Sequence, residues 1–160
     1  IGRHRLLCGD STAAENFNRL KCGAYIIVTD PPYGIDLDTD YSGMGASTTK
    51  YAKIEGDQSE FDIKSVAGLA GAKEMYLWGG DYFSMSRAIG LSKYRGIIYD
   101  PFLGSGTTMV ASEQLDRTCY GMEIDPKYCQ VIIDRMLKLD PTLEIKKNGQ
   151  PYEVPELNKV

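Results

Sequence analysis

The stretch IIVTDPPYGI, Ile26 to Ile35, runs an apolar segment into a carboxylate, two prolines and a tyrosine. Proline gives a sheet no N–H and holds φ near about −65°, so a strand reading through Val28 must stop at Asp30. A strand end made of Asp30, Pro31, Pro32 and Tyr33 offers a ligand one carboxylate, exposed carbonyl oxygens and an aromatic ring. That set can accept hydrogen bonds and stack.

A second stretch, IIYDPFLGSGTTMVA, repeats the logic with a different payload. A strand stops at Asp100-Pro101, then Gly104 and Gly106 bracket a tight turn into a helix that starts near Thr107. Glycines there let backbone approach a ligand closely, and a helix N-terminus presents N–H groups to it. Glu123 follows at the end of the next strand, where an acid can accept both hydroxyls of a ribose. The third glycine of the dinucleotide fingerprint is absent, since Met109 stands in its place, and there is no GK[ST]. A nucleoside cofactor without a pyrophosphate fits better than NAD or ATP; a glycine turn needed only for packing is the competing reading.

The elements that must hold these residues follow from hydrophobic patterning. HRLLCGD, AYIIVTD, EMYLWGG, RGIIYD and RTCYGMEID read as strands, mostly too uniformly apolar to be half-exposed, which predicts a parallel sheet buried on both faces. Helices are expected over Thr107 to Leu115 and Pro126 to Leu139. In the second, Asp125 is the N-cap, Pro126 takes the first position, and Val131, Ile132, Met136 and Leu139 share a face. Alternating strands and helices give an α/β three-layer domain. Residues 1–140 form it, and residues 141–160 form a tail with a hairpin at Asn148-Gly149. The segment 36–62 is polar and long for a connection inside a compact domain, which marks it as a functional or mobile loop.

With 160 residues, the chain is one domain's worth, and 42% hydrophobic residues can fill its core. No apolar run approaches membrane-spanning length, and the start is not a signal peptide. Without an initiator methionine, residues before Ile1 are expected to have been removed or to lie outside this sequence. Cys8, Cys22, Cys119 and Cys129 form no metal pattern, which predicts a reduced, cytoplasmic protein without zinc. A net charge of −4 argues against a basic coat for nucleic acid but leaves room for a local basic cleft.

DPPY at Asp30 to Tyr33 and DPFLGSGTT at Asp100 to Thr108, taken together, resemble the catalytic and cofactor motifs of the DNA amino-methyltransferases that use S-adenosylmethionine (SAM). GMEIDPKY, Gly121 to Tyr128, is similar to the segment that follows in that family, and LLCGDS, Leu6 to Ser11, to another cofactor-side element. The catalytic motif comes first, which resembles the permuted β-type order. The resemblance implies a Rossmann-like methyltransferase fold and double-stranded DNA as partner, with the target base flipped out of the stack. It further implies a bacterial, archaeal or phage-encoded enzyme, of the kind found in restriction-modification.

The resemblance also assigns roles. Asp30 and the Pro31 carbonyl would each accept one N–H of the target amine, and Tyr33 would stack on the base. Phe102, Gly104, Gly106 and Thr107, with Asp100, would line SAM; Glu123 would take its ribose and Asp10 its adenine amino group. Asp10 could instead cap the helix after Ser11, Phe102 could belong to the core, and Glu123 could be a surface acid. Trp78 would pack beneath the cofactor. DPPY rather than SPPY leans toward adenine N6 over cytosine N4; methylation of a protein glutamine, a nucleoside-binding module without turnover, and a hydride-transferring enzyme are the remaining alternatives. One departure stands out: only Ser84 to Arg95 occupies the space where the family has two further strands and a base-reading region, so residues are expected to be absent there.

Overall fold

The computed structural model describes residues 1–20, 23–30, 71–77, 82–93 and 95–154. Pro31, Pro32, Tyr33, Trp78, Cys22 and the segment 36–62 lie outside these described residues. The expected apolar runs form β1 (Arg5–Cys8), β2 (Ala24–Thr29), β3 (Glu74–Leu77), β4 (Ile97–Asp100) and β5 (Cys119–Glu123). They make one sheet, parallel throughout, in the order β1-β5-β4-β2-β3.

Strand side chains alternate between faces, so a strand covered on both sides must be apolar at consecutive positions. Ile26 and Val28 pack on one face and Ile27 on the other, all fully buried; Ile98 and Tyr99 divide in the same way. Burying each such aliphatic side chain contributes roughly 1.5–3 kcal/mol. Helix α1 (Ala14–Leu20) covers one face, where Phe17 meets the Tyr99 ring edge-on, with centroids 5.5 Å apart. The opposite face is covered by α2 (Tyr82–Leu91), α3 (Thr107–Gln114) and α4 (Pro126–Leu139).

Helix α4 begins as its sequence demands. The Asp125 side chain accepts the Lys127 N–H at 2.8 Å, and Pro126 occupies the first turn, where no N–H is needed. Its buried stripe, however, is Cys129, Ile132 and Met136. Val131 and Leu139, expected on that stripe, are exposed, because the first lies one residue off the helical period and the second lies at the last residue of the helix. Helix α2 was not anticipated: Ser84 to Leu91, within the Ser84 to Arg95 stretch read as a shortened connection, belongs to it. Met85, Ala88 and Ile89, at helical spacing, pack under Ile26, Val28 and Ile98. Beyond α4, β6 (Lys146–Lys147) and β7 (Gln150–Pro151) pair antiparallel around Asn148 and Gly149, whose φ values of 53° and 83° are those of a two-residue hairpin turn. No helix among the described residues is long and apolar enough to cross a membrane.

His4 is buried at 3% exposure near the start of β5. Its Nδ1 accepts the Cys119 N–H at 3.1 Å, which leaves the proton on Nε2 to donate to Glu113 Oε2 at 2.6 Å. Arg3 bridges Glu113 at 3.0 Å and also pairs with Asp116. Burial, the larger influence, holds the imidazole below its ordinary pKa against the pull of Glu113. As pH falls, an unfolded histidine takes up its proton first, near about 6.5, and the folded one only later. Neutral His4 therefore stabilises the fold fully above that pH, and the contribution is lost on acidification. Urea midpoints should fall from pH 7.5 to 5.5 in the wild type and fall less in His4→Gln, which keeps one acceptor and one donor. Equal slopes in the two proteins would remove His4 from this role.

Candidate functional site

In a parallel sheet all strands end on the same edge, so the acids that follow them gather there. Asp10 follows β1, Asp30 follows β2, Asp100 closes β4 and Glu123 closes β5. From β4 the chain passes through α3 to β5 on one side, while β2 pairs with β3 on the other. The carboxyl ends of β2 and β4 thus flank a topological switch point, the crevice in which open α/β sheets bind ligands.

Asp100 is the most buried of the four acids, at 1% exposure. Its Oδ1 accepts the Thr29 hydroxyl at 2.7 Å and the Phe102 N–H at 3.0 Å, while the Thr108 hydroxyl donates to Met85 Sδ at 3.7 Å. Desolvation dominates and raises its pKa to about 6; the neighbouring hydroxyls and the Phe102 N–H pull the other way, and the charge of nearby Asp30 adds to the rise. Asp30 itself is exposed at the end of β2. The structure thus places Asp100 beneath the crevice, tying its parts together, rather than along the open lining.

The glycine turn has the shape its sequence suggests. Gly106 has φ 86°, a left-handed conformation, and a Cβ there would stand 2.8 Å from Ile132 Cγ1. Gly104 has φ 51° with open space where a Cβ would project, so its backbone faces a void. Helix α3 makes its first intrahelical bond from the Val110 N–H to the Gly106 carbonyl at 3.0 Å. The N–H groups of Thr107, Thr108 and Met109 therefore have no carbonyl in the helix to bond. From α4, Arg135 donates to the Ser105 carbonyl at 2.7 Å and to its hydroxyl at 2.9 Å, bracing the turn from behind.

Glu123, at 8% exposure, accepts the Gly104 N–H on Oε2 at 2.8 Å and the Asp125 N–H on Oε1 at 2.9 Å. It is a built part of the turn, not a surface acid. A carboxylate has about four lone-pair sites, so each oxygen keeps one for a further donor. The SAM expected here fits this arrangement: open space beside Gly104, an oriented acid for paired hydroxyls, and partly buried Phe102 alongside. Asp10 is exposed, and its Oδ1 takes both the N–H and the hydroxyl of Thr12, at 2.8 and 2.7 Å. That is a turn leading into α1, not an N-cap of it, since α1 starts at Ala14. Cys129 donates to the Glu123 carbonyl at 3.7 Å, and burial pushes its thiol up to about 12, leaving it inert.

Sequence reasoning missed Thr29, Thr108 and Arg135. A threonine ending an apolar strand and an arginine at the helical period of Ile132 were legible as residues, but their partners lie 71 and 30 positions away.

Folded Asp100 keeps its proton up to about 6, whereas an unfolded aspartate loses it near 3.8. The folded state therefore gains from this group at low pH, and the gain disappears as pH rises through 6. The linkage amounts to something on the order of 3 kcal/mol. Asp100→Asn cannot ionise, so its stability relative to wild type should rise by that order between pH 4 and 6.5 in parallel urea melts. A constant difference would mean that Asp100 titrates normally.

A family model for DNA methylases of the N6/N4 type matches residues 84–134, from α2 through the glycine turn into α4. Over 47 residues the chain is 43% identical to the type II methyltransferase M.SmaI of Serratia marcescens, covering 29% of this chain and 16% of that protein. Over 62 residues it is 36% identical to the orphan methyltransferase M.BamHII of Bacillus amyloliquefaciens, covering 39% of this chain and 23% of that one. The chain thus spans less than a quarter of the length of these curated relatives. TTHA0409 of Thermus thermophilus, a DNA modification methylase by assignment, shares the fold with a TM-score of 0.51 and 16% identity over 88% of this chain and 97% of its own. M1.HpyAVI does so with a TM-score of 0.50 and 14% identity over 83% and 98%. The family match thus takes in the glycine turn, Glu123 and the start of α4, and the two solved structures share the fold.

Proposed function

We propose that this chain carries the catalytic core of a DNA methyltransferase that methylates the exocyclic N6 of adenine in double-stranded DNA, with SAM as cofactor. One observation supports this reading above the others. Asp30, the first residue of DPPY, follows the strand adjacent to the one that carries the glycine turn, and the two strand ends are joined by the Thr29–Asp100 bond of 2.7 Å. Glu123, Gly104, Gly106, Thr107 and Phe102 would hold the cofactor, with Glu123 on the ribose hydroxyls and Asp10 toward the adenine. When bound, SAM supplies a methyl group activated by a sulfonium.

The protein's own part is positioning and electrostatics. The target amine, once its base is flipped out, has two N–H groups to place. The Asp30 carboxylate and the Pro31 carbonyl accept one each and draw the nitrogen toward tetrahedral geometry, which frees its lone pair for attack. Tyr33 stacks on the base, a contact worth roughly 1–3 kcal/mol. No covalent intermediate with the protein is required. Adenine is the base that DPPY favours; cytosine N4 needs the same two acceptors.

The test is product analysis. The protein is incubated with SAM and mixed-sequence duplex DNA, the DNA is digested to nucleosides, and methylated bases are identified by mass, with Asp30→Ala in parallel. N6-methyladenine from the wild type, reduced on the order of 100-fold or more in the variant, is the expected result. N4-methylcytosine would keep the mechanism and overturn the base assignment. SAM binding without any methylated base would overturn autonomous activity in favour of a module that depends on a partner.

A further inference from the structure

We propose that Thr29 is a positioning residue for methyl transfer, its hydroxyl clamping the end of the catalytic strand to the cofactor turn through Asp100. The inference deepens the methyltransferase reading and rests on it for the word transfer, but the clamp itself stands on geometry. Thr29 is the last residue of β2 and is fully buried, directly before Asp30. Backbone register between β2 and β4 runs through Ile26 with Ile98 and ends at Ile27 with Tyr99. Past that pair, the Thr29 hydroxyl bond to Asp100 Oδ1 at 2.7 Å continues the connection toward the crevice.

Asp100 gathers donors from both sides of the proposed site. Thr29 comes from the catalytic strand and the Phe102 N–H at 3.0 Å from the start of the cofactor turn. A carboxylate enclosed in this way holds its donors to fixed directions, because any that drift leave charge desolvated without compensation. The strand end that presents Asp30 and the loop that would present the cofactor are thereby held at one relative position. Methyl transfer depends on that separation, and displacements near 1 Å are enough to cost about 100-fold in rate. Valine is the β-branched residue a buried strand would otherwise use at this place, with nearly the same shape as threonine and no hydroxyl.

Three proteins decide the matter: wild type, Thr29→Val and Thr29→Ser. Three readouts are taken on each: SAM affinity by calorimetry, single-turnover methylation at saturating SAM and DNA, and the carboxyl carbon titration of Asp100 followed by NMR. Thr29→Val should slow methylation by about 30-fold while SAM affinity stays within about threefold of wild type. Asp100 in that variant should titrate about one pH unit higher, since a donor to its ionised form is gone. Thr29→Ser, which keeps the hydroxyl, should restore both. Wild-type rates in Thr29→Val, or an Asp100 titration that does not move, would overturn the proposal. So would a loss in Thr29→Ser as deep as in Thr29→Val, because shape and not the hydroxyl would then be responsible. A wild type that neither binds SAM nor makes a methylated base, with Thr29→Val still moving the Asp100 titration, would overturn the methyltransferase reading and leave the clamp in place.

Discussion

A carboxylate buried to 1% exposure costs folding free energy unless donors converge on it, and that constraint organises the crevice of this protein. The donors to Asp100 come from β2 and from the turn after β4. Neither segment can shift alone without leaving the carboxylate undercompensated. Each charge-assisted bond contributes roughly 1.5–3 kcal/mol, so the set is strong enough to define local geometry and not only to tolerate burial. The raised pKa of Asp100 shows that desolvation is still only partly offset. Such incomplete compensation is common where a polar group is kept for positioning rather than for stability.

The two edges of the sheet divide the work. At the carboxyl edge, Asp30, Asp100, Glu123 and Asp10 collect because parallel strands all end there. At the opposite edge the buried polar groups serve the fold. His4 links the start of β5 to Glu113 in α3, and the Arg117 guanidinium donates to the carbonyls of Ile89 and Gly96 at 3.1 and 3.4 Å, fastening the end of α2 to the start of β4. Both arrangements use buried hydrogen bonds. They differ in what remains over: Glu123 keeps acceptor capacity beyond its backbone bonds, and Gly104 keeps open space in front of it, whereas the His4 ring nitrogens are both engaged.

How much of this was legible beforehand depends on range. Local chemistry could be read directly: the Asp125 cap and Pro126 of α4, the glycine turn entered through Asp100-Pro101, and the all-apolar strands of a doubly covered sheet. Each depends on a few consecutive residues. His4 could not be read, because a histidine near the chain start is buried only by virtue of Glu113 and Cys119, more than a hundred positions away. The stripe of α4 was misjudged by one residue at Val131, since periodicity gives the face but tertiary packing selects its centre. Helix α2 is short, and its period rests on Met85, Ala88 and Ile89 alone, whose burial depends on Ile26, Val28 and Ile98 from β2 and β4.

Chain order and spatial order also separate here in an instructive way. Asp30 precedes Asp100 by 70 positions, yet β2 and β4 are neighbours in the sheet. Parallel pairing specifies only which strands lie side by side and that their ends share an edge; it is indifferent to which strand the chain visits first. A site assembled from strand ends therefore survives permutation of its motifs, provided that the side-chain bonds across the ends are kept. In this protein the backbone ladder between β2 and β4 stops at Ile27 and Tyr99, short of both acids. Beyond it, a threonine hydroxyl meeting a buried carboxylate joins the strand end that leads into Asp30 to the start of the glycine turn.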